Sequence, residues 1–205
     1  SSRTPRLEIF PDRITENARS VISLCRSHGA QVACVTKVTA AHPAVAEALA
    51  AADPDQLADS RVSNLQRIAE QGIQLPRLLL RLPTPSEALE VVRTADLSLN
   101  SGLATLQRLN EAAGFAGGRH GVVVMVDVGD LREGIWPERA ASLLQVAARL
   151  ENLDLLGLGC NLACYGGVIP SVENMQKLIE VREACRKATG LELNLLSGGN
   201  SANLP

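Results

Sequence analysis

Aromatic residues are nearly missing from this 205-residue chain, which has two Phe, one Tyr and one Trp. Any core must therefore be aliphatic, and with 46% hydrophobic residues there is enough Val, Leu, Ile and Ala for a sizeable one. Parallel sheets covered on both faces by helices have this composition. Charge of one sign is not in excess either: a net charge of −2 gives no electrostatic case for nucleic acid or an anionic membrane surface. No apolar run approaches the roughly 18 residues a membrane span needs, and Ser1–Phe10 lacks the apolar stretch of a signal peptide. A disulfide framework is not indicated, because Cys25, Cys34, Cys160, Cys164 and Cys185 are odd in number and irregularly spaced. Cys160 and Cys164 have C-x3-C spacing without a second Cys/His pair nearby, so no metal site is expected. Free thiols in a reducing cytosol, and hence a cytoplasmic protein, are the expectation.

What is present is an alternation of short apolar runs with helical ones. An N-terminal helix is expected over Ile14–His28, then a strand over Val32–Val38 and a helix opened by Pro43. Strands follow at Gln56–Ser60, Arg77–Leu82, Leu97–Asn100, His120–Val128, Leu153–Leu162 and Leu193–Leu196. Helices fall between them, at Asn64–Gln71, Pro85–Arg93, Ser101–Ala113, Pro137–Leu150 and Ser171–Thr189, the last ended by Gly190. Seven strands alternating with helices leave two architectures, an open doubly wound sheet or a TIM-type (β/α) barrel. Polar and glycine-rich groups close nearly every strand: Lys37, Asp59-Ser60-Arg61, Arg81, Asn100, Gly129–Gly134, Asn161 and Ser197–Ser201. In a barrel these ends converge on one mouth, whereas an open sheet concentrates them at its switch point. The pattern predicts a barrel, apparently truncated after the seventh strand.

Several of those strand ends have the chemistry of a site. Lys37 lies within VACVTKVTA. Burial there would lower its pKa and free the amine for a Schiff base, while a lysine reaching to solvent is the plain alternative. Ser197-Gly198-Gly199-Asn200-Ser201 offers backbone amides, hydroxyls and an amide side chain after strand seven, a frequent phosphate position in barrels. An ordinary flexible turn has the same composition. Between Asp127 and Gly134, Arg132 has the fork to meet an anionic oxygen, with Asp127 or Asp130 to hold it; a solvated loop is the alternative. Asp59 and Ser60 read equally well as a helix cap. Tyr165, after Asn161, either donates a proton or packs. His28, His42 and His120 share no ligand spacing and are expected at the surface or at helix ends.

Together, VTKV at 35–38, ADSR at 58–61, LLRLP at 79–83, MVDVGDLREG at 125–134, GLGCNLACYGG at 157–167 and SGGNS at 197–201 resemble the N-terminal barrel of fold-type III pyridoxal-phosphate enzymes. That is the alanine racemase superfamily, and the match is nearest to its ornithine racemase-like branch. The resemblance implies that residues 1–205 form one cofactor-binding barrel, with pyridoxal 5'-phosphate attached to Lys37, which also serves as acid and base. It implies Arg132 beside the cofactor's phenolic oxygen and Asn161 where alanine racemases place a histidine against the pyridine. It also implies Ser197, Gly198, Gly199, Asn200 and Ser201 around the phosphate. Two departures from the family's pattern are expected: Ala41 in place of a phosphate-contacting tyrosine, and no eighth strand or C-terminal β domain within residues 1–205. The implied activity is racemisation of an amino acid of the ornithine or basic type, by a homodimer when full length. A non-catalytic cofactor-homeostasis protein and a decarboxylase or aldolase of the same fold are the alternatives.

Overall fold

The computed structural model describes residues 5–163, 167–198 and 200–204. The chain folds as two compact units, Ser1–Leu80 and Arg81–Pro205.

The first unit opens with helix α1 (Pro11–Ser27), whose proline stands at the helix start, where its missing N–H costs nothing. Strand β1 (Ala33–Val35) leads into a 3-10 turn (Lys37–Thr39), helix α2 (Pro43–Ala50), strand β2 (Gln56–Asp59), helix α3 (Val62–Glu70) and strand β3 (Arg77–Leu79). The three strands are parallel and in chain order, with Ala33 paired to Gln56 and Leu57 to Arg77. Leu57, Ala58, Leu65 and Ile68 are wholly buried, each large side chain among them contributing about 1.5–3 kcal/mol. Helix α1 is fastened to α2 by Thr15 Oγ1 donating to the Ala48 carbonyl at 2.8 Å and Arg19 donating to that of Ala51 at 2.9 Å.

The second unit begins with a 3-10 turn (Pro85–Glu87) capped by Thr84, then helix α4 (Ala88–Thr94), strand β4 (Leu97–Asn100) and helix α5 (Leu103–Ala116). Strand β5 (His120–Met125), helix α6 (Pro137–Ala147), strand β6 (Leu153–Gly159), helix α7 (Val172–Thr189) and strand β7 (Leu195–Ser197) follow, and a 3-10 turn (Ser201–Asn203) ends the described chain. Strands β4 to β7 are parallel and again in chain order. Residues of both parities in β5 are buried, Val122 and Val124 as well as Val123 and Met125, so both faces of this sheet are covered. Helix α7 starts on a reciprocal cap, in which Ser171 Oγ accepts from the Asn174 amide and Asn174 Oδ1 from that of Ser171.

Several strands stop short of their apolar runs. The run Val32–Val38 is strand only to Val35, because Thr36 turns out of the sheet with φ −98° and ψ −6°. The Arg77–Leu82, His120–Val128 and Leu153–Leu162 runs end as strands at Leu79, Met125 and Gly159, while the last strand lies at Leu195–Ser197 instead of Leu193–Leu196. The helix expected over Pro85–Arg93 begins as a 3-10 turn. His120 is a larger correction: it is 1% exposed rather than a surface or capping residue. Its Nε2 lies 2.8 Å from Ser98 Oγ, a partner 22 residues away that satisfies the ring inside the sheet. His28 and His42 are exposed and flank α1 and α2 as expected. No helix among the described residues is long and apolar enough to cross a membrane.

Candidate active site

Each polar group that the sequence placed at a strand end, where described, follows or closes a strand at its C-terminal end. In the first unit the focus is the turn after β1. Thr36 still belongs to the sheet through its amide, which donates to the Ala58 carbonyl at 2.9 Å. Its own carbonyl then accepts from the amides of Thr39 at 3.1 Å and Ala41 at 3.3 Å. Lys37 rides on that turn and is exposed, which corrects the expectation of a buried lysine inside a strand. The cause is the early exit at Thr36, which carries Lys37 off the sheet. Ala40 and Ala41, at φ +50° and +53°, complete the turn in the left-handed region that costs a side-chain-bearing residue about 1 kcal/mol or more. Ala41 is wholly buried, so the position that carries tyrosine in the resembled family is here part of the turn's packing.

Asp59 closes β2 and is wholly buried. Its Oδ1 accepts from the Arg61 amide at 3.0 Å and from Asn64 Nδ2 at 2.9 Å, and its Oδ2 from Thr36 Oγ1 at 2.7 Å. Helix capping is thus one half of its role, as the sequence suggested, and the other half reaches the lysine turn.

In the second unit, residues 127–134 leave β5 as a loop that returns to the strand it left. The Ile135 amide donates to the Met125 carbonyl at 2.8 Å, and the Asp127 amide to the Ile135 carbonyl at 3.0 Å. Asp127 Oδ1 gathers the loop inward by accepting from the amides of Gly129 at 2.8 Å and Leu131 at 3.2 Å. Gly134 is required where the loop closes: its φ is +128°, and a Cβ there would stand 2.5 Å from the Asp127 nitrogen. Arg132 donates from Nε to Glu133 Oε2 at 2.7 Å, while Asn161, just past β6, donates from Nδ2 to Glu133 Oε1. One carboxylate therefore ties two of the proposed cofactor contacts together. Glu133 was not singled out in the sequence, although it lies inside the same charged cluster; nothing there distinguished it from a solvated acid. Cys160, beside Asn161, is buried, and burial together with nearby Asp127 pushes its thiol up to about 11. It stays protonated at neutral pH and is therefore not a nucleophile there.

At the end of β7, Ser197 is half-buried and its carbonyl accepts from the Cys160 amide at 2.8 Å. Gly198 has a packing reason, since a Cβ there would meet Met175 Sδ of α7 at 2.9 Å. Asn200 Oδ1 accepts from the Ala202 amide at 2.8 Å and its Nδ2 donates to the Leu162 carbonyl; Ser201 is exposed. Gly199, Cys164, Tyr165 and Gly166 lie outside the described residues. At the end of β4, Asn100 donates from Nδ2 to Ser98 Oγ at 2.9 Å, extending the His120–Ser98 pair along the strand. Burial lowers the His120 pKa to about 4, against smaller opposing effects of Asp96 and Asp154. No cluster of three or more metal-binding side chains occurs among the described residues.

A sequence profile described as "Alanine racemase, N-terminal domain" matches residues 9–204. The chain is 37% identical over 201 residues to the ornithine racemase of Acetoanaerobium sticklandii, covering 98% of this chain and 56% of that one. It is 36% identical over 200 residues to the lysine racemase of Thermotoga maritima, again covering 98% and 56%. The chain spans about half the length of the curated relatives it matches. Among solved structures, the alanine racemase of D-cycloserine-producing Streptomyces lavendulae superposes with a TM-score of 0.82 at 23% identity, over 98% of this chain and 55% of that one. PipY of Synechococcus elongatus PCC7942, solved with PLP bound, superposes with a TM-score of 0.75 at 22% identity, over 89% of this chain and 87% of that one. The shared fold is the TIM-type (β/α) barrel of the alanine racemases.

Proposed function

This chain belongs to the alanine racemase N-terminal domain family, and on that premise we propose that it is the cofactor-binding part of a pyridoxal-phosphate-dependent amino-acid racemase. The observation that carries the reading is the placement of its donor groups. A primary amine, a guanidinium held by a carboxylate and a Ser/Gly/Asn loop each follow a parallel strand at its C-terminal end. That donor set fits an aldehyde, a phenolic oxygen and a phosphate. Both units are proposed to belong to one cofactor-binding domain. Relatives that are racemases of ornithine and lysine favour a basic amino acid as substrate, and favour racemisation over decarboxylation, aldol chemistry or cofactor storage.

When bound, pyridoxal phosphate withdraws electrons from the substrate's Cα and so acidifies its C–H bond. The residues of this chain would hold it and handle the proton. Lys37 Nζ would be the amine of attachment and would take or return the substrate's Cα proton on one face. Arg132, with Nε engaged by Glu133, would offer the rest of its guanidinium to the phenolic oxygen. Asn161, tied to the same carboxylate, would border the ring. Ser197, Gly198, Gly199, Asn200 and Ser201 would hold the phosphate through hydroxyls and backbone amides. Assembly of the whole protein as a homodimer, and its residence in the cytoplasm, belong to the same proposal.

Mixing the protein with pyridoxal phosphate should give visible absorbance, and borohydride should fix the cofactor on the Lys37 peptide. A Lys37→Ala variant that retains an equal reducible label would remove the basis of the proposal.

A further inference from the structure

The turn that carries Lys37 has an unfavourable backbone and a firm support. Ala40 and Ala41 both adopt left-handed conformations without being glycine. Such residues persist only where their surroundings over-determine them, and they gather where a functional group must be held in one orientation. Here the support comes from β2 and α3. At one end of the turn, Asp59 Oδ2 takes the Thr36 hydroxyl at 2.7 Å. At the other, Arg67 of α3 donates from Nη1 to the Ala40 carbonyl at 3.1 Å. Between these grips lies Lys37, whose position is set by Thr36, its neighbour in the chain.

The two oxygens of Asp59 have separate duties. Oδ1 serves the start of α3 through the Arg61 amide and Asn64 Nδ2, and Oδ2 serves the lysine turn. All three partners are donors, which suits a group that only accepts. Capping of α3 uses Oδ1 alone, and the partner that satisfies the buried Oδ2 is Thr36, 23 residues away at the base of the lysine turn.

We propose that Asp59 is a positioning residue: through Thr36 it fixes the turn that presents Lys37 to the cofactor. The proposal rests on Lys37 being the attachment lysine, and it adds which residues aim that amine. A reactive group held within a fraction of an ångström reacts far faster than one that wanders, and a misplacement of about 1 Å costs on the order of 100-fold. Loss of the Thr36–Asp59 bond leaves Lys37 in place chemically but frees the turn beneath it.

The test uses Thr36→Val, which keeps the shape of the side chain and removes only the hydroxyl. Asp59→Leu removes both duties. Asp59→Asn retains an acceptor for Arg61 and Asn64, and its amide can donate to Thr36 Oγ1, whose proton then turns to the Ala58 carbonyl at 3.3 Å. Two quantities are read for each variant. One is amide hydrogen exchange at Thr39 and Ala41 without cofactor. The other is the rate at which borohydride-fixable pyridoxal phosphate appears on Lys37, with Lys177 and Lys187 of the same chain as internal references.

Thr36→Val should speed exchange at Thr39 and Ala41 and slow Lys37 attachment, each roughly tenfold, the worth of one hydrogen bond to a charged group. Asp59→Asn should stay within about threefold of the unsubstituted protein, because its bonds can be re-formed. If Asp59→Leu does not fold, Thr36→Val decides the matter. Faster exchange with unchanged attachment would reduce Asp59 to a structural residue and overturn the proposal, as would unchanged exchange. Label absent from Lys37 in the unsubstituted protein would sink the cofactor reading itself, whereas label on Lys37 at equal rates in all variants would sink only the positioning role.

Discussion

A single histidine sets one pH limit of this protein. His120 is 1% exposed and neutral in the fold, with Nε2 against Ser98 Oγ and its pKa lowered from 6.5 to about 4 by burial. The folded state thus binds this proton less readily than the unfolded chain, which takes it up near 6.5. Stability from the neutral ring is fully present above pH 6.5 and is lost as pH falls towards 4. The full difference amounts to roughly 3 kcal/mol. Urea unfolding at pH 7, 5.5 and 4 should show that decline, and His120→Gln, which has nothing to titrate, should flatten it. Parallel declines in the two proteins would mean that the acid sensitivity comes from other groups. Cys160, in contrast, contributes no charge change near neutrality, because burial and Asp127 hold its thiol near 11.

At the scale of elements, the loop between β5 and α6 is the part of the site on which geometry bears most directly. It carries Arg132 and Glu133 and is closed by backbone bonds between Met125, Asp127 and Ile135. Gly129 and Gly134 both have positive φ, +133° and +128°, so alanine strains the backbone at either. They differ in space: a Cβ at 129 meets nothing within 4 Å, while one at 134 lies 2.5 Å from the Asp127 nitrogen and 2.6 Å from the Val126 carbonyl carbon. Gly134→Ala should therefore cost at least about 1 kcal/mol more stability than Gly129→Ala, since backbone atoms must shift. It should also weaken pyridoxal-phosphate binding, measured by absorbance titration, because the displaced segment carries Arg132. Equal effects of the two substitutions would show that the crowding at 134 relaxes freely. This loop also marks how far the sequence can be read. The strand β5 and the helix α7, with its end at Gly190, are legible because their signals are local: a buried apolar run, a cap and a stop. The turn at Lys37 is not, since the apolar run VACVTKV continues to Val38 and the turn's supports, Asp59 and Arg67, lie far along the chain. Likewise His120 and Glu133 gain their roles from Ser98 and Asn161, partners that no local pattern names.

For the whole molecule, the proposal assigns the cofactor's attachment to Lys37 and its other contacts to Arg132, Asn161 and the Ser197–Ser201 loop. A ligand that binds only the native state stabilises it by an amount fixed by its concentration, about 2.7 kcal/mol at one hundred times Kd. Trp136, the chain's one tryptophan, stands at the start of α6 in the second unit and reports unfolding there. In the first unit the amides of Leu57 and Ala58, in the buried strand β2, report through hydrogen exchange. Pyridoxal phosphate should raise both the urea midpoint seen by Trp136 and the protection of Leu57 and Ala58. The stronger form of the prediction uses a substitution in one unit and a reporter in the other. Lys37→Ala, confined to an exposed position of the first unit, should leave the cofactor-free midpoint at Trp136 unchanged within about 0.5 kcal/mol. It should nevertheless remove most of the cofactor-induced rise there, because loss of the attachment lysine weakens binding for the molecule as a whole. A rise at Trp136 that survives Lys37→Ala in full would mean that the second unit holds the phosphate without help from the lysine. The reading of Lys37 as the attachment lysine would then give way to an anion site belonging to β7 and its loop alone.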